Sequence, residues 1–460
     1  MRAADDRSSA PAAATTSHAL ASIHASSSLP PSWSAWLARA NTALRRDDVS
    51  RALRPVDASD SPQTYNARAR TLERWFGDDD DLGESADAED VASAVRVFSG
   101  NDYLGLGAHE RVRRAAAAAA ARYGCGPRSS ALVCGYTSAH RALEVELAAL
   151  SETEECVLFP TGYAANATTL PALCDGKDAC IFSDALNHAS IIDGCRLAKQ
   201  NGARVQTFGH RDYEELERLL AKTRRGTRTV VVSDSLFSMD GDYADVDRLA
   251  ALRAKYGFLL VLDEAHATLV CGGRGGGLAQ ARGRCADVDI HVGTLSKAIG
   301  AHGGFVACSR EMKRFLVSRA RGQMFSTALP APAVAAAMES LRVFADEPER
   351  RAKLWSNIDR FNAAIATSPS VRMAPLTSPI GSLIIGESRD ALAVSAALLR
   401  LGFHVPAIRP PTVPRGISRL RVALSAAHTD ADIDALARAI ISTVNATHAA
   451  AAAASLPSKL

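Results

Sequence analysis

From Val95 onward the sequence alternates short β-branched or apolar runs with longer stretches of helical periodicity, and few folds accommodate that alternation. Strand-like runs fall at Val157–Phe159, Ile181–Phe182, Val205–Phe208, Thr229–Val232, Phe258–Leu262, Ile290–Val292 and Phe305–Cys308. Helical patterns lie between most of them, for example Arg141–Leu150, Tyr213–Lys222 and Val246–Lys255. A short run without polar alternation is buried on both faces, and an intervening helix returns the chain to start a parallel neighbour. The expected fold class is α/β, a large domain whose mostly parallel sheet is covered by helices.

The pattern changes after about Pro330. A helical stretch through Val334–Phe344 leads to strand candidates at Ser382–Ile385 and Arg419–Leu424 and a last helix near Asp430–Thr443, which predicts a smaller α+β C-terminal domain. The expected organisation is a disordered leader over 1–32, an N-terminal helix and linker with an acidic loop over 33–98, a large domain over 99–330 and a small domain over 331–445. The helix is read from Trp33 to Leu53 and the acidic loop around Asp78–Asp81. An alanine-rich flexible tail is predicted over 446–460, ending Ser458-Lys459-Leu460.

With 460 residues, 47% of them hydrophobic and 22% charged, the chain can build a large core and is not a mostly disordered or disulfide-scaffold protein. A net charge of +3 gives no electrostatic footprint for nucleic acid or an anionic membrane. No apolar stretch reaches the ~18 to 20 residues of a membrane-spanning helix, so a soluble protein is expected. The nine cysteines include no CxxC pair and read as free thiols. No metal-ligand set stands out.

Ligands of open α/β sheets bind at the carboxyl ends of the strands, and polar motifs sit at several such ends here. Asp263-Glu264-Ala265-His266 follows Phe258–Leu262, and Thr294-Leu295-Ser296-Lys297 follows Ile290–Val292. Thr161-Gly162-Tyr163 follows Val157–Phe159 and opens a helix whose free N–H groups suit a phosphate. Asn187-His188 and the stretch Ser235–Gly241 lie past two further strands. Each feature alone has a commonplace explanation: a surface lysine, a capping aspartate, a satisfied polar histidine. Together they match what pyridoxal phosphate needs, namely a Schiff-base lysine, a carboxylate for the pyridinium nitrogen and a phosphate cradle. The DEAH spelling of Asp263–His266 lacks any GxxxxGK[ST] loop, the glycine-rich Cys271–Gly277 is out of GxGxxG register, and neither GxSxG nor HExxH occurs.

Six blocks then carry a family resemblance: Asn101–Leu106 (NDYLGL), Thr161–Asn166 (TGYAAN), Asn187–Ser190 (NHAS), Phe237–Asp242 (FSMDGD), Asp263–His266 (DEAH) and Thr294–Lys297 (TLSK). In this order the chain resembles the α-oxoamine synthases, pyridoxal 5'-phosphate enzymes of fold type I (aspartate-aminotransferase-like), over roughly residues 33 to 445. The segment Ala407–Pro414 (AIRPPTVP), with Arg419-Leu420-Arg421 and Ser425–His428, is similar to the biotin-pathway branch of that family.

The resemblance implies roles. Lys297 would carry the cofactor, Asp263 would face its ring nitrogen and His188 its ring face. His266 and Ser238 would contact the ring hydroxyl, and Gly162, Tyr163 and Thr294 would hold the phosphate. Asn101 and Arg421 would take the amino-acid carboxylate, and Arg54 and Thr412 the acyl-CoA. The implied reaction is a decarboxylative condensation of L-alanine with pimeloyl-CoA in a homodimer, an acyl transfer with Lys297 as general base. Glycine-using relatives and a non-catalytic partner subunit are the alternatives, and the presence of Lys297 speaks against the latter. Tyr163 stands where relatives often have phenylalanine, and Ser296 where they often have glycine. The Ser-Lys-Leu terminus reads as a peroxisomal address for an import receptor, with the cytosol as the alternative location.

Overall fold

The computed structural model describes residues 29–47, 50, 56–58, 63–68 and 92–454. Two units emerge, Met1–Leu53 and Arg54–Leu460. The described part of the first is a helix, Pro31–Arg46, with proline at its first position and Arg45 and Arg46 in its last turn, where they complement the helix dipole. The helix ends earlier than its sequence pattern predicts, closing with the Asp47 N–H on Ala43 O at 3.0 Å. Arg54, the acidic run Asp78–Asp81 and Ser458–Leu460 lie outside the described residues.

The second unit is organised around a seven-stranded sheet in the order β4-β10-β9-β8-β7-β5-β6. Its strands are β4 (Glu155–Phe159), β5 (Ala179–Asp184), β6 (Arg204–Phe208), β7 (Arg228–Asp234), β8 (Leu259–Asp263), β9 (Ile290–Thr294) and β10 (Gly304–Cys308). These are the seven runs read from the sequence, six of them extended by one or more residues and Phe258–Leu262 shifted by one to Leu259–Asp263. The pairs β5–β6, β5–β7, β7–β8 and β8–β9 are parallel, and β10 runs antiparallel to both β4 and β9.

Alternate residues of these strands feed different cores, as the period-two geometry of a strand requires. Val157, Ile181, Val230, Val232, Val261 and Val292 pack into one apolar cluster, while Phe182, Val231, Leu260, Leu262 and Phe305 pack into another. Helices such as Gly162–Leu173 and Ala189–Gln200 cover one face, and Ser138–Leu150 and Val246–Tyr256 contribute to the other cluster.

The C-terminal region forms a three-stranded sheet in the order β11-β14-β13, from β11 (Ile380–Gly386), β13 (Ala407–Ile408) and β14 (Ser418–Ala423). Between 54 and 98, where the sequence suggests a linker, three short strands form an antiparallel run: β1 (Asp57–Ala58), β2 (Thr64–Arg68) and β3 (Ala92–Val97). β3 pairs in parallel with β12 (Phe403–His404), so this stretch is built onto the C-terminal region. The expected flexible tail is also corrected in part, since the last helix runs from Asp430 to Ala454. Alanine is the best helix former, so the run after Asn445 continues the helix. All nine cysteines are free thiols.

Candidate active site

The polar motifs converge because β7, β8 and β9 are parallel neighbours whose carboxyl ends share one edge. Asp263 closes β8 and Asp234 closes β7, and the two are register partners. Asp263 Oδ1 accepts the Ala265 N–H at 2.9 Å, and Oδ2 accepts from Asn166 Nδ2 at 2.5 Å. Burial raises the Asp234 carboxyl well above the usual range, and the neighbouring charge of Asp263 adds to the effect.

His188 caps the helix Ala189–Gln200 with its own side chain. Its Nδ1 accepts the Ser190 N–H at 3.2 Å, which leaves the hydrogen of the neutral ring on Nε2. The His188 N–H donates to Asp234 Oδ2 at 3.1 Å, tying this turn to β7. Burial lowers the His188 pKa, with Asp263 opposing and Lys297 reinforcing the shift.

Lys297 follows β9 on a turn and is half-buried. Desolvation lowers its pKa; Asp263 and Asp234 work against that, and the Arg421 charge adds to it. An amine displaced toward its neutral form is a nucleophile and a base.

The helix Gly162–Leu173 opens at the carboxyl end of β4. Thr161 caps it, its Oγ1 accepting the Ala164 N–H at 3.0 Å. Among the described residues the N–H groups of Gly162 and Tyr163 have no internal acceptor, the usual condition of a helix start that takes an anion. A Cβ on Gly162 would lie 3.0 Å from Thr294 Cβ, so glycine lets the helix start close on β9. Thr294 Oγ1 donates to Gly303 O at 3.0 Å and lies 2.8 Å from Ser296 Oγ. Tyr163 is half-exposed; its hydroxyl bonds Asp193, and its ring meets that of His188 edge-on at 6.4 Å.

On the other side, β14 presents Arg419 and Arg421 two residues apart, hence on one face. Both arginines are buried, at 4% and 6% exposure, but they are neutralised differently. Arg419 pairs with Asp240. Arg421 donates to Ser238 O at 2.6 Å and Asn101 Oδ1 at 3.2 Å, and no carboxylate among the described residues pairs with it. A buried cation without an anion is costly unless a ligand brings one. His266 lies between the two halves, its Nδ1 2.7 Å from the Tyr103 hydroxyl. Burial, aided by the charges of Lys297, Arg421 and His188, holds its pKa far below the ordinary histidine value.

The contacts and electrostatic couplings thus link Lys297, His188, Asp263, His266, Asn101, Ser238 and Arg421, with Gly162, Tyr163 and Thr294 at the adjoining helix start. Thr412 is exposed on the loop between β13 and β14, its N–H on Arg409 O at 3.1 Å, and no contact joins it to this group. Three participants escaped the sequence reading. Asp234 extends the Thr229–Val232 run to a strand end as Asp263 does its own, a signal that was present. Asn166 and Tyr103 lie within family blocks, but their partners are 97 and 163 residues away along the chain.

These residues fit pyridoxal phosphate on structural grounds: a carboxylate at a buried strand end, a helix start with free N–H groups, and an amine lowered by burial. The model for class I and II aminotransferases matches residues 95–440. An 8-amino-7-oxononanoate synthase from Arabidopsis thaliana is 46% identical over 404 residues, covering 82% of this chain and 83% of the relative. A serine palmitoyltransferase variant from S. paucimobilis, solved as its PLP–myriocin complex, superposes with a TM-score of 0.78 at 26% identity, covering 90% of this chain and 98% of the other. The 8-amino-7-oxononanoate synthase structure from Francisella tularensis gives 0.65 at 25% identity, covering 77% and 99%. The chain belongs to the class I and II aminotransferase family of pyridoxal-phosphate enzymes, on the branch of the 8-amino-7-oxononanoate synthases.

Proposed function

We propose that the chain condenses L-alanine with pimeloyl-CoA, releasing CoA and CO2 and giving 8-amino-7-oxononanoate, a step of biotin biosynthesis. The observation that carries this reading is Arg421, a buried guanidinium beside Asn101 with donors left over and no carboxylate among the described residues to neutralise it. An α-amino acid supplies that anion. The choice of alanine and pimeloyl-CoA is supported by the Arabidopsis relative and by the Ala407–Pro414 segment.

Bound pyridoxal phosphate supplies an electron sink for the carbanion that the reaction needs at the amino acid's Cα. Lys297 would anchor it, and as a free amine would remove the Cα proton. Asp263 would keep the ring nitrogen protonated, and the neutral His188 ring would lie against its face. His266 and Ser238 would meet the ring hydroxyl, and Gly162, Tyr163 and Thr294 would hold the phosphate. Arg421 and Asn101 would fix the amino-acid carboxylate until it leaves as CO2. Arg54 and Thr412 are proposed for the acyl-CoA.

A homodimer is part of the same proposal. Leu132, Val133 and Phe325 are 52%, 75% and 66% exposed, and their segments are joined by the Ser130–Thr327 bridge, a patch that a second copy would cover. Light scattering tests it. The peroxisomal address rests on Ser458-Lys459-Leu460 alone, and a reporter fusion with and without that tripeptide tests it.

The deciding experiment is CoA release from pimeloyl-CoA by the cofactor-loaded protein, with L-alanine, glycine and L-serine in parallel. Release with alanine alone is expected. Release only with glycine would overturn the substrate assignment while keeping the family.

A further inference from the structure

We propose that His210 and Arg211 form a positioning clasp that fixes the spacing between His188 and Arg421 by gripping two carboxylates, Asp184 and Asp242. The proposal rests on the reading of the site given above, although neither residue touches substrate or cofactor in it.

The clasp has four polar contacts. His210 Nδ1 lies 3.0 Å from Asp184 Oδ1, and Nε2 lies 3.0 Å from Asp242 Oδ2. Arg211 N–H donates to Asp184 Oδ2 at 2.9 Å, and its Nη1 donates to Asp242 Oδ2 at 3.0 Å. Carboxylate oxygens on both ring nitrogens require both nitrogens to donate, so the ring is an imidazolium. The Phe237 ring meets it edge-to-face at 4.4 Å. Arg211 has φ of 55°, a left-handed conformation that side chains other than glycine rarely adopt and that persists where surrounding contacts dictate it.

Each gripped carboxylate commands one half of the site. Asp184 closes β5, and its Oδ1 also accepts the Leu186 N–H at 2.8 Å, shaping the turn that delivers His188. Asp242 closes the Phe237–Asp242 loop, with Phe237 N–H on Asp242 O at 2.9 Å. That loop offers Ser238 O to Arg421 and Asp240 to Arg419. Releasing the clasp removes this loop's tie to β5 and leaves it held by Ser378 Oγ on Gly241 O at 2.8 Å and by the Asp240–Arg419 pair, so the guanidinium can shift relative to His188.

The electrostatics agree. Burial opposes the charge on His210, but its bonds to Asp184 and Asp242 outweigh it and raise the pKa to about 9. The charged groups facing the ring are Asp184 from β5, Asp242 from the loop and Arg211 from its own turn. Tyr213 of the next helix lies beside Asp184, its hydroxyl accepting the Asp245 N–H at 2.7 Å. Because the folded-state pKa is raised, the clasp is complete at neutral pH and is lost as pH rises through about 9.

The test is an L-alanine titration of the full, cofactor-loaded chain without any acyl donor, followed by cofactor absorbance between pH 7 and 10. It uses wild type, His210→Gln and Asp242→Asn. The titration of alanine's own amino group is common to all three and cancels in the comparison. His210→Gln is expected to weaken alanine binding about tenfold at pH 7.5 and to lose the alkaline step, with kcat at saturating alanine within about threefold of wild type. Asp242→Asn is expected to move that step down by about one pH unit. Wild-type affinity and an unchanged profile in His210→Gln would overturn the clasp, as would a fall in melting temperature alone. If a variant does not fold, the wild-type profile still decides, because affinity flat through pH 9 apart from alanine's own ionisation overturns it. The titration needs no acyl donor, so failure of the condensation assay and failure of the clasp are read separately.

Discussion

Replacing Arg421 by methionine separates function from stability, and the structure sets both signs. Arg421 is 6% exposed, and its guanidinium uses donors on Ser238 O and Asn101 Oδ1, at 2.6 and 3.2 Å. Arginine has five N–H donors, so up to three remain for a substrate carboxylate. A hydrogen bond to a charged group contributes about 1.5–3 kcal/mol, equivalent to a roughly 10- to 150-fold rise in KM for alanine when it is lost. Removing a buried cation that has no carboxylate partner among the described residues costs little stability, so the melting temperature should hold or rise. Arg421 also helps depress the pKa values of Lys297 and His266, and both should rise in the variant. Arg419→Met is the control. It strips Asp240 of its partner, and because Asp240 keeps 34% of its side chain in solvent, the loss should be roughly 1–3 kcal/mol. Steady-state kinetics with alanine as the varied substrate and thermal melts of both variants check the pair. An Arg421→Met protein with unchanged KM and a melting temperature several degrees lower would show that the guanidinium is structural and refute the reasoning.

Three further outcomes are expected. Gly162→Ala places a Cβ 3.0 Å from Thr294 Cβ and should weaken cofactor affinity about tenfold, read by absorbance titration, whereas Gly304→Ala meets the Thr161 and Gly162 backbone at 2.4 Å and should cost about 3 kcal/mol in chemical denaturation. His291 is buried on β9, and desolvation, opposed by the Cys285 backbone, lowers its pKa to about 4. A depressed histidine leaves stability intact above the unfolded value of about 6.5 and erodes it toward pH 4, by about 3 kcal/mol, so His291→Leu should flatten the stability profile across that window. Lys297→Ala should abolish borohydride trapping of the cofactor on the chain by mass spectrometry, and a trapped adduct elsewhere would reassign the anchor.

The sequence by itself determined the seven sheet strands, because six of them are short, largely buried runs that leave no polar alternation to mislead, and it determined the strand-end positions of Asp263, His266, Lys297 and His188. It also placed the helix start at Gly162. What it could not decide is which of two like residues does which task. Arg419 and Arg421 share a strand face, and only the distant Asp240 neutralises one of them. Asp234 and Asp263 are equivalent strand-end acids until register makes them neighbours in a dry site. The stretch before Val97 reads as a linker because β3, beyond its pairing with β2, gains its second partner only from β12, about 300 residues later. Local pattern encodes what each segment can bury, whereas charge state and pairing depend on which segments the fold brings within a few ångströms, and that only the tertiary structure decided.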